Sequence, residues 1–253
     1  MYSAFADLPD KTLGWQDLLK LTQDLKSGLR RFAANALRSA FADLPDKTLG
    51  WQDLLRLTQD ADSDVRGAAA HALGSAFAHM PDKTLGWQDL LRLTLDSDIN
   101  VQWGAAEALG SAFAHLPDKT LGWQDLHKLT LDPDEVVRMV AARALGSAFA
   151  HLPDKILGAK DLHKLTLDPD EVVRWGAAEA LGSAFADLLD KTLGWQDLHK
   201  LTLDPDEVVR MVAARALGSA FAHLPDKILG AKDLHKLTLD PDEAVQWGAA
   251  EAL

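Results

Sequence analysis

Four histidines, His127, His163, His199 and His235, recur at intervals of 36 residues, and imidazole is the side chain best suited to ligate a transition metal or move a proton near neutral pH. A shared zinc would need each ring nitrogen about 2.1 Å from the ion. Equivalent residues on stacked helices lie about 8–10 Å apart, and Leu19, Leu55 and Leu91 hold the same place earlier in the chain. The spacing therefore predicts a half-buried packing position, not a metal site. A second set, His79, His115, His151 and His223, alternates with Asp7, Asp43 and Asp187 and reads as surface. The Asp-rich turns lack the glycine and terminal glutamate of a calcium loop, so they read as helix caps. The serines of the recurring SAF triplet have no G-x-S-x-G context, and the LG pairs form no phosphate loop. No nucleophile, base and orienting group can be assembled. The expectation is no enzyme, with no catalytic, metal or cofactor-binding residue and no cofactor.

The elements that carry these residues come from a repeat. The segment SAFADLPDKTLGWQDL starting at Ser3 returns, with small changes, at Ser39, Ser75, Ser111, Ser147, Ser183 and Ser219, a period of 36. The array fills the chain, which predicts a single repeat domain over 1–253. Residues 111–182 and 183–253 differ at four aligned positions, His115/Asp187, Pro117/Leu189, Val172/Ala244 and Arg174/Gln246, so the duplicated unit is a pair of repeats.

Each repeat reads as two helices. In Asp132-Pro133-Asp134-Glu135 the spacing predicts Asp132 as N-cap and Pro133 at the first helical position. The helix that follows, helix A, carries Val137, Ala141, Ala144, Leu145, Ala148 and Phe149 on one stripe and ends near His151. Leu152-Pro153-Asp154 then restarts the chain, and Asp154 caps a second helix, helix B, running to about Thr166. A two-helix unit cannot bury its own apolar face, so neighbours must stack. The predicted fold is all-α, an α-solenoid of about seven antiparallel helix pairs, with recurring Phe (Phe5 to Phe221) and Leu (Leu37 to Leu217) as core ladders.

Two rows remain for function. On helix A, Trp103, Met139, Trp175, Met211 and Trp247 alternate, and one turn on Glu107, Arg143, Glu179, Arg215 and Glu251 alternate in sign. Mutual packing with ion pairs between layers is the favoured account, and an exposed stripe awaiting a partner is the other. On helix B, Thr120, Gln124 and Lys128 follow i, i+4, i+8 and face away from the core. Ile156, Lys160 and Lys164, then Gln196 and Lys200, then Lys232 and Lys236 continue that row. Trp123 and Trp195 beside it alternate with Ala159 and Ala231, suggesting shallow sockets. The acid-base pairs Asp125/Lys128 and Asp161/Lys164 read as ordinary surface pairs.

The composition limits the partner. Net charge is −12, which disfavours bulk attraction to nucleic acid or an anionic membrane and points to a protein or peptide. There is no cysteine, as suits a reducing, cytoplasmic compartment. No 18-residue apolar run or signal-type opening is present, so no membrane role is expected. The opening residues, including Phe5, Leu8, Leu18 and Leu21, match Val245, Ala249 and Leu253 at the close, which predicts head-to-tail self-association.

DPDEVVRWGAAEALG, a second short helix and LTLDPDE together resemble HEAT-like repeats of the phycobilisome-lyase type, over essentially the whole chain. The near-identity of the repeats suits an engineered or excised array equally well. The resemblance implies a right-handed superhelix and a stacking bond between an Asp before helix A and an Arg six residues on. The matching pairs are Asp24/Arg30, Asp60/Arg66, Asp132/Arg138, Asp168/Arg174 and Asp204/Arg210; Gln102 and Gln246 depart, which implies weaker junctions. It also implies that helix B lines a concave face, making its outer row the candidate protein-binding groove of a non-enzymatic scaffold. The alternatives are a nucleic-acid binder using Lys20, Arg56, Arg92, Lys128, Lys164, Lys200 and Lys236, a designed repeat protein with no natural ligand, and, from the family name alone, a bilin lyase.

Overall fold

The computed structural model describes residues 10–251. The chain divides into two compact units, Met1–Pro117 and Asp118–Leu253. In the first, helices α1 (Lys11–Leu21), α2 (Ser27–Ala40), α3 (Lys47–Leu57), α4 (Ser63–Ala76), α5 (Lys83–Leu93) and α6 (Ile99–Phe113) follow one another. The second contains α7 (Lys119–Leu129), α8 (Glu135–Ala148), α9 (Lys155–Leu165), α10 (Glu171–Ala184), α11 (Lys191–Leu201), α12 (Glu207–Phe221), α13 (Lys227–Leu237) and α14 (Glu243–Glu251). No strand occurs among the described residues. The architecture is an α-solenoid in which odd-numbered helices are the B helices and even-numbered ones the A helices. Within each unit the A helices pack on one another in series, and each B helix packs against the A helices of its layer.

The boundaries follow from caps. Asp154 accepts the amides of Ile156 and Leu157 at 3.0 and 2.9 Å, starting α9. At its end the buried Thr166 hydroxyl donates to the His163 carbonyl at 2.7 Å. Helix A starts two residues later than expected. Asp132 accepts the Asp134 amide at 2.9 Å, an Asx turn, and Asp134 becomes the N-cap, taking the amides of Val136 and Val137 at 2.8 and 3.3 Å. Pro133 therefore lies before the cap, since its fixed φ serves the turn and not the helix. After Ala148 a 3-10 turn, Phe149–His151, closes helix A. In the equivalent turn of the first unit, Lys83 spans the orphan carbonyls of Phe77, Ala78 and Met80 at 2.7, 2.7 and 2.9 Å, and burial pulls its pKa below the usual lysine value.

Both core ladders form. Leu37, Leu73, Leu109, Leu145, Leu181 and Leu217 are each no more than 2% exposed, and Phe41, Phe77, Phe113, Phe149 and Phe185 are buried; Phe221 is half-buried and Phe5 lies outside the described residues. Each such side chain contributes about 1.5–3 kcal/mol by leaving water. Trp51 wedges edge-on between Phe41 and Phe77, with ring centroids 6.5 and 6.3 Å apart. The A helices approach almost to backbone contact: a Cβ on Gly146 would sit 2.4 Å from Ala180 Cα, and one on Gly74 would sit 2.5 Å from Ala108 Cα. Only glycine permits that spacing.

Candidate protein-binding face

The row predicted on the B helices of the second unit is solvent-facing. Thr120, Gln124 and Lys128 on α7, Ile156, Lys160 and Lys164 on α9, Gln196 and Lys200 on α11, and Lys232 and Lys236 on α13 are all exposed. Their i, i+4 spacing places them opposite Leu126, Leu162, Leu198 and Leu234, which are 0% exposed. Lysine tips lean on acids of their own helix. Lys128 Nζ lies 3.2 Å from Asp125 Oδ1, Lys200 Nζ lies 3.7 Å from Asp197 Oδ1, and Lys164 Nζ lies 4.0 Å from Asp161 Oδ1.

One half of these pairs is not at the surface. Asp161 and Asp197 are each 2% exposed, which corrects the reading of Asp161/Lys164 as a solvated pair. The acid points between layers, where the preceding B helix supplies a donor. His127 Nδ1 lies 3.0 Å from Asp161 Oδ2, and His163 Nδ1 lies 2.8 Å from Asp197 Oδ2. Where a tryptophan stands 38 residues before the acid it can take that role: Trp195 Nε1 donates to Asp233 Oδ2 at 3.0 Å, and Trp51 Nε1 to Asp89 Oδ2 at 3.1 Å. His127, His163 and His199 are half-buried, as the leucines at the same place in earlier repeats imply, whereas His235 is exposed, which corrects its reading as a half-buried position; His127 and His163 are also hydrogen-bond partners. Trp123 and Trp195, 4% and 2% exposed, fill core space, so they form no sockets on the outer row. The signal available in the sequence was the acid itself, present in every repeat at positions 17, 53, 89, 125, 161, 197 and 233.

A second ladder joins the loops before the A helices. Arg174 Nη1 donates to the carbonyl of Asp168 at 2.9 Å, in its own repeat, while Nε and Nη2 grip both oxygens of Asp204, in the next repeat, at 2.6 and 3.0 Å. Arg138 treats Asp132 and Asp168 alike, and so does Arg30 with Asp24 and Asp60. Arg66 makes longer ion pairs, 3.7 Å to Asp96 and 3.4 Å to Asp98. The bond within a repeat thus goes to a backbone carbonyl, and the carboxylate contact runs to the next repeat. Gln246 keeps the first half, donating to the Asp240 carbonyl at 2.6 Å.

The helix A stripe is mixed. Met139 is 1% exposed, Trp103, Trp175 and Met211 are half-buried, and Trp247 is 71% exposed. Packing explains its centre: a Cβ on Gly176 would meet Met139 Cγ at 2.9 Å, and Arg143 pairs with Glu179 at 2.9 Å. Of the predicted apolar ends, Phe5, Leu8 and Leu253 lie outside the described residues and Leu18 and Leu21 are half-buried. Val245 and Ala249 are 0% exposed, because the stripe that carries them is the one α14 turns toward α12; they offer no sticky end. Among the described residues no three His, Cys, Asp or Glu side chains gather to hold a metal ion, and no helix is long and apolar enough to cross a membrane.

Comparison with known proteins bears on this architecture. A family model described as HEAT repeats matches residues 52–146, 88–182 and 123–218. The chain belongs to the HEAT-repeat family. This HEAT array is similar to the crystal structure of an engineered protein at 26% identity and a TM-score of 0.50, covering 80% of this chain and 96% of that one. A second engineered protein is 29% identical with a TM-score of 0.48, covering 100% and 70%. A designed armadillo repeat protein is 22% identical with a TM-score of 0.45, covering 79% and 97%. No curated protein matches the chain in sequence.

Proposed function

We propose that this HEAT array is a non-enzymatic scaffold that binds a protein or peptide along the outer face of α7, α9, α11 and α13. The observation that supports it most is the outer row of ten exposed side chains at one register on four B helices. Their burial against the chain itself contributes nothing, and amide and ammonium groups repeated at fixed intervals suit an extended segment. The repeats are proposed to act as a single domain over 1–253, in the cytoplasm, as the absence of cysteine suggests. A phosphate-binding reading is weakened by the acids within 4.0 Å of Lys128, Lys164 and Lys200. The likeness to an engineered protein keeps a built array without a natural ligand as the second reading.

The test is peptide-display selection on the full chain, followed by affinity measurement on the triple variant Lys128→Glu, Lys164→Glu, Lys200→Glu. These side chains are 64–74% exposed, so the variant should fold normally and lose the selected peptides. Peptides that bind the variant unchanged would sink the proposal, and no selectable peptide would favour the second reading.

A further inference from the structure

The helix A stripe has a gap in the first unit. Position 67 lies in register between Arg31 and Trp103, 36 residues from each, yet it is glycine where the second unit carries Met139, Trp175 and Met211. The missing side chain leaves a cleft of about 320 Å³ walled by Arg31 on α2 and Trp103 on α6, with Gly67 on α4 between them. This glycine is not enforced by packing. A Cβ there would meet nothing closer than the Asn100 carbonyl oxygen at 3.6 Å, an ordinary contact.

The cleft's rim sets its chemistry. Asp64 on α4 and Glu107 on α6 both line it, with side chains 62% and 58% exposed. Arg31 Nη1 lies 2.8 Å from Asp64 Oδ2, so its charge is already met, and His71 Nδ1 lies 3.2 Å from Glu107 Oε2. Asn35 also lines the cleft; its amide nitrogen donates to the Arg31 carbonyl at 3.2 Å, which leaves its Oδ1 as an acceptor. The arrangement is an indole wall with carboxylate and amide oxygens around it.

We propose that this cleft binds the arginine side chain of a basic peptide, with the guanidinium against the Trp103 indole and its N–H groups on Glu107 and Asn35. A guanidinium is planar, stacks on indole and carries five donors, which an ammonium does not. An aromatic side chain would desolvate Asp64 and Glu107 and offer them little in return. The chain's net charge of −12 draws cationic peptides toward the surface. The site lies on the A helices of the first unit and is independent of the B-helix row.

The experiment titrates the full chain with acetyl-Gly-Arg-Gly-amide, its citrulline, lysine and tryptophan counterparts serving as comparisons, by calorimetry at low salt with NMR mapping. The arginine peptide should bind about tenfold tighter than the citrulline peptide. Gly67→Met, which restores the residue type found elsewhere in the stripe, should fill the cleft and abolish binding without lowering thermal stability. Glu107→Gln should weaken binding about threefold. Equal affinity for citrulline, tighter binding of the lysine or tryptophan peptide, or undiminished binding to Gly67→Met would overturn the assignment.

Discussion

His163 Nδ1 lies 2.8 Å from Oδ2 of Asp197, a carboxylate 2% exposed and held between layers by a donor from the preceding B helix. A buried acceptor that loses its donor costs about 1–3 kcal/mol, whereas replacing both partners by apolar groups can be nearly neutral. The consequences differ by repeat, because the position 38 residues before the acid alternates between tryptophan and alanine.

His163→Leu should destabilise the chain by about 1–3 kcal/mol, since Ala159 offers no replacement donor. His127→Leu should cost less, because Trp123, whose Nε1 has no hydrogen-bond partner, stands where Trp195 donates to Asp233. His199→Leu should be near neutral, as Trp195 already serves that acid and His199 Nδ1 is unbonded. Urea midpoints of the three variants give the order, and equal losses would refute it.

Stability should fall on acidification below the ordinary carboxylate range. Burial tends to raise the pKa of Asp204, but the hydrogen bonds from Arg174 and the Asp206 amide and the charges of Arg174 and Arg210 outweigh it, so the folded value lies below the usual one. The Arg174 hydrogen bonds are matched at Asp60 by those of Arg30, which hold that acid down against burial. A depressed folded pKa contributes stability that is fully present above the unfolded value, about 3.9, and is lost as pH falls through the folded value. Urea midpoints measured from pH 7 to 3 should show the drop, and Asp204→Asn should flatten part of it.

Two glycines should respond oppositely to alanine. Gly146→Ala forces a methyl to 2.4 Å from Ala180 Cα, and overpacking of this kind costs about 1–3 kcal/mol. Gly67→Ala makes only an ordinary contact, 3.6 Å to the Asn100 carbonyl oxygen, and should gain about 0.5–1 kcal/mol through helix propensity. Thermal melts of the two variants should move in opposite directions.

The first A helix should be improvable at its start. Lys26 occupies the N-cap of α2 without a side-chain hydrogen bond, where Asp62 and Asp134 cap α4 and α8. Lys26→Asp should stabilise by about 1 kcal/mol and slow amide exchange in α2. No change in exchange there would count against the capping argument.

The 36-residue period, the proline and aspartate breaks and the 3.6-residue stripes determined two helices per repeat, their ends apart from the start of helix A, and both core ladders, because these depend on local spacing and on one face needing cover. The exposed row of Thr120 to Lys236 was legible for the same reason: a residue opposite a leucine stripe has nowhere to go but solvent. Apart from the Arg143–Glu179 pair, contacts between layers were not legible, since they depend on how far one helix is offset from the next. That offset turns Asp161 and Asp197 inward to His127 and His163, sends Arg174 to Asp204 as well as to its own loop, and covers Val245 and Ala249. The cleft at Gly67 is of the same kind: the glycine stands in the sequence, but only the packed A helices decide that Arg31 and Trp103 leave its space empty and do not close over it.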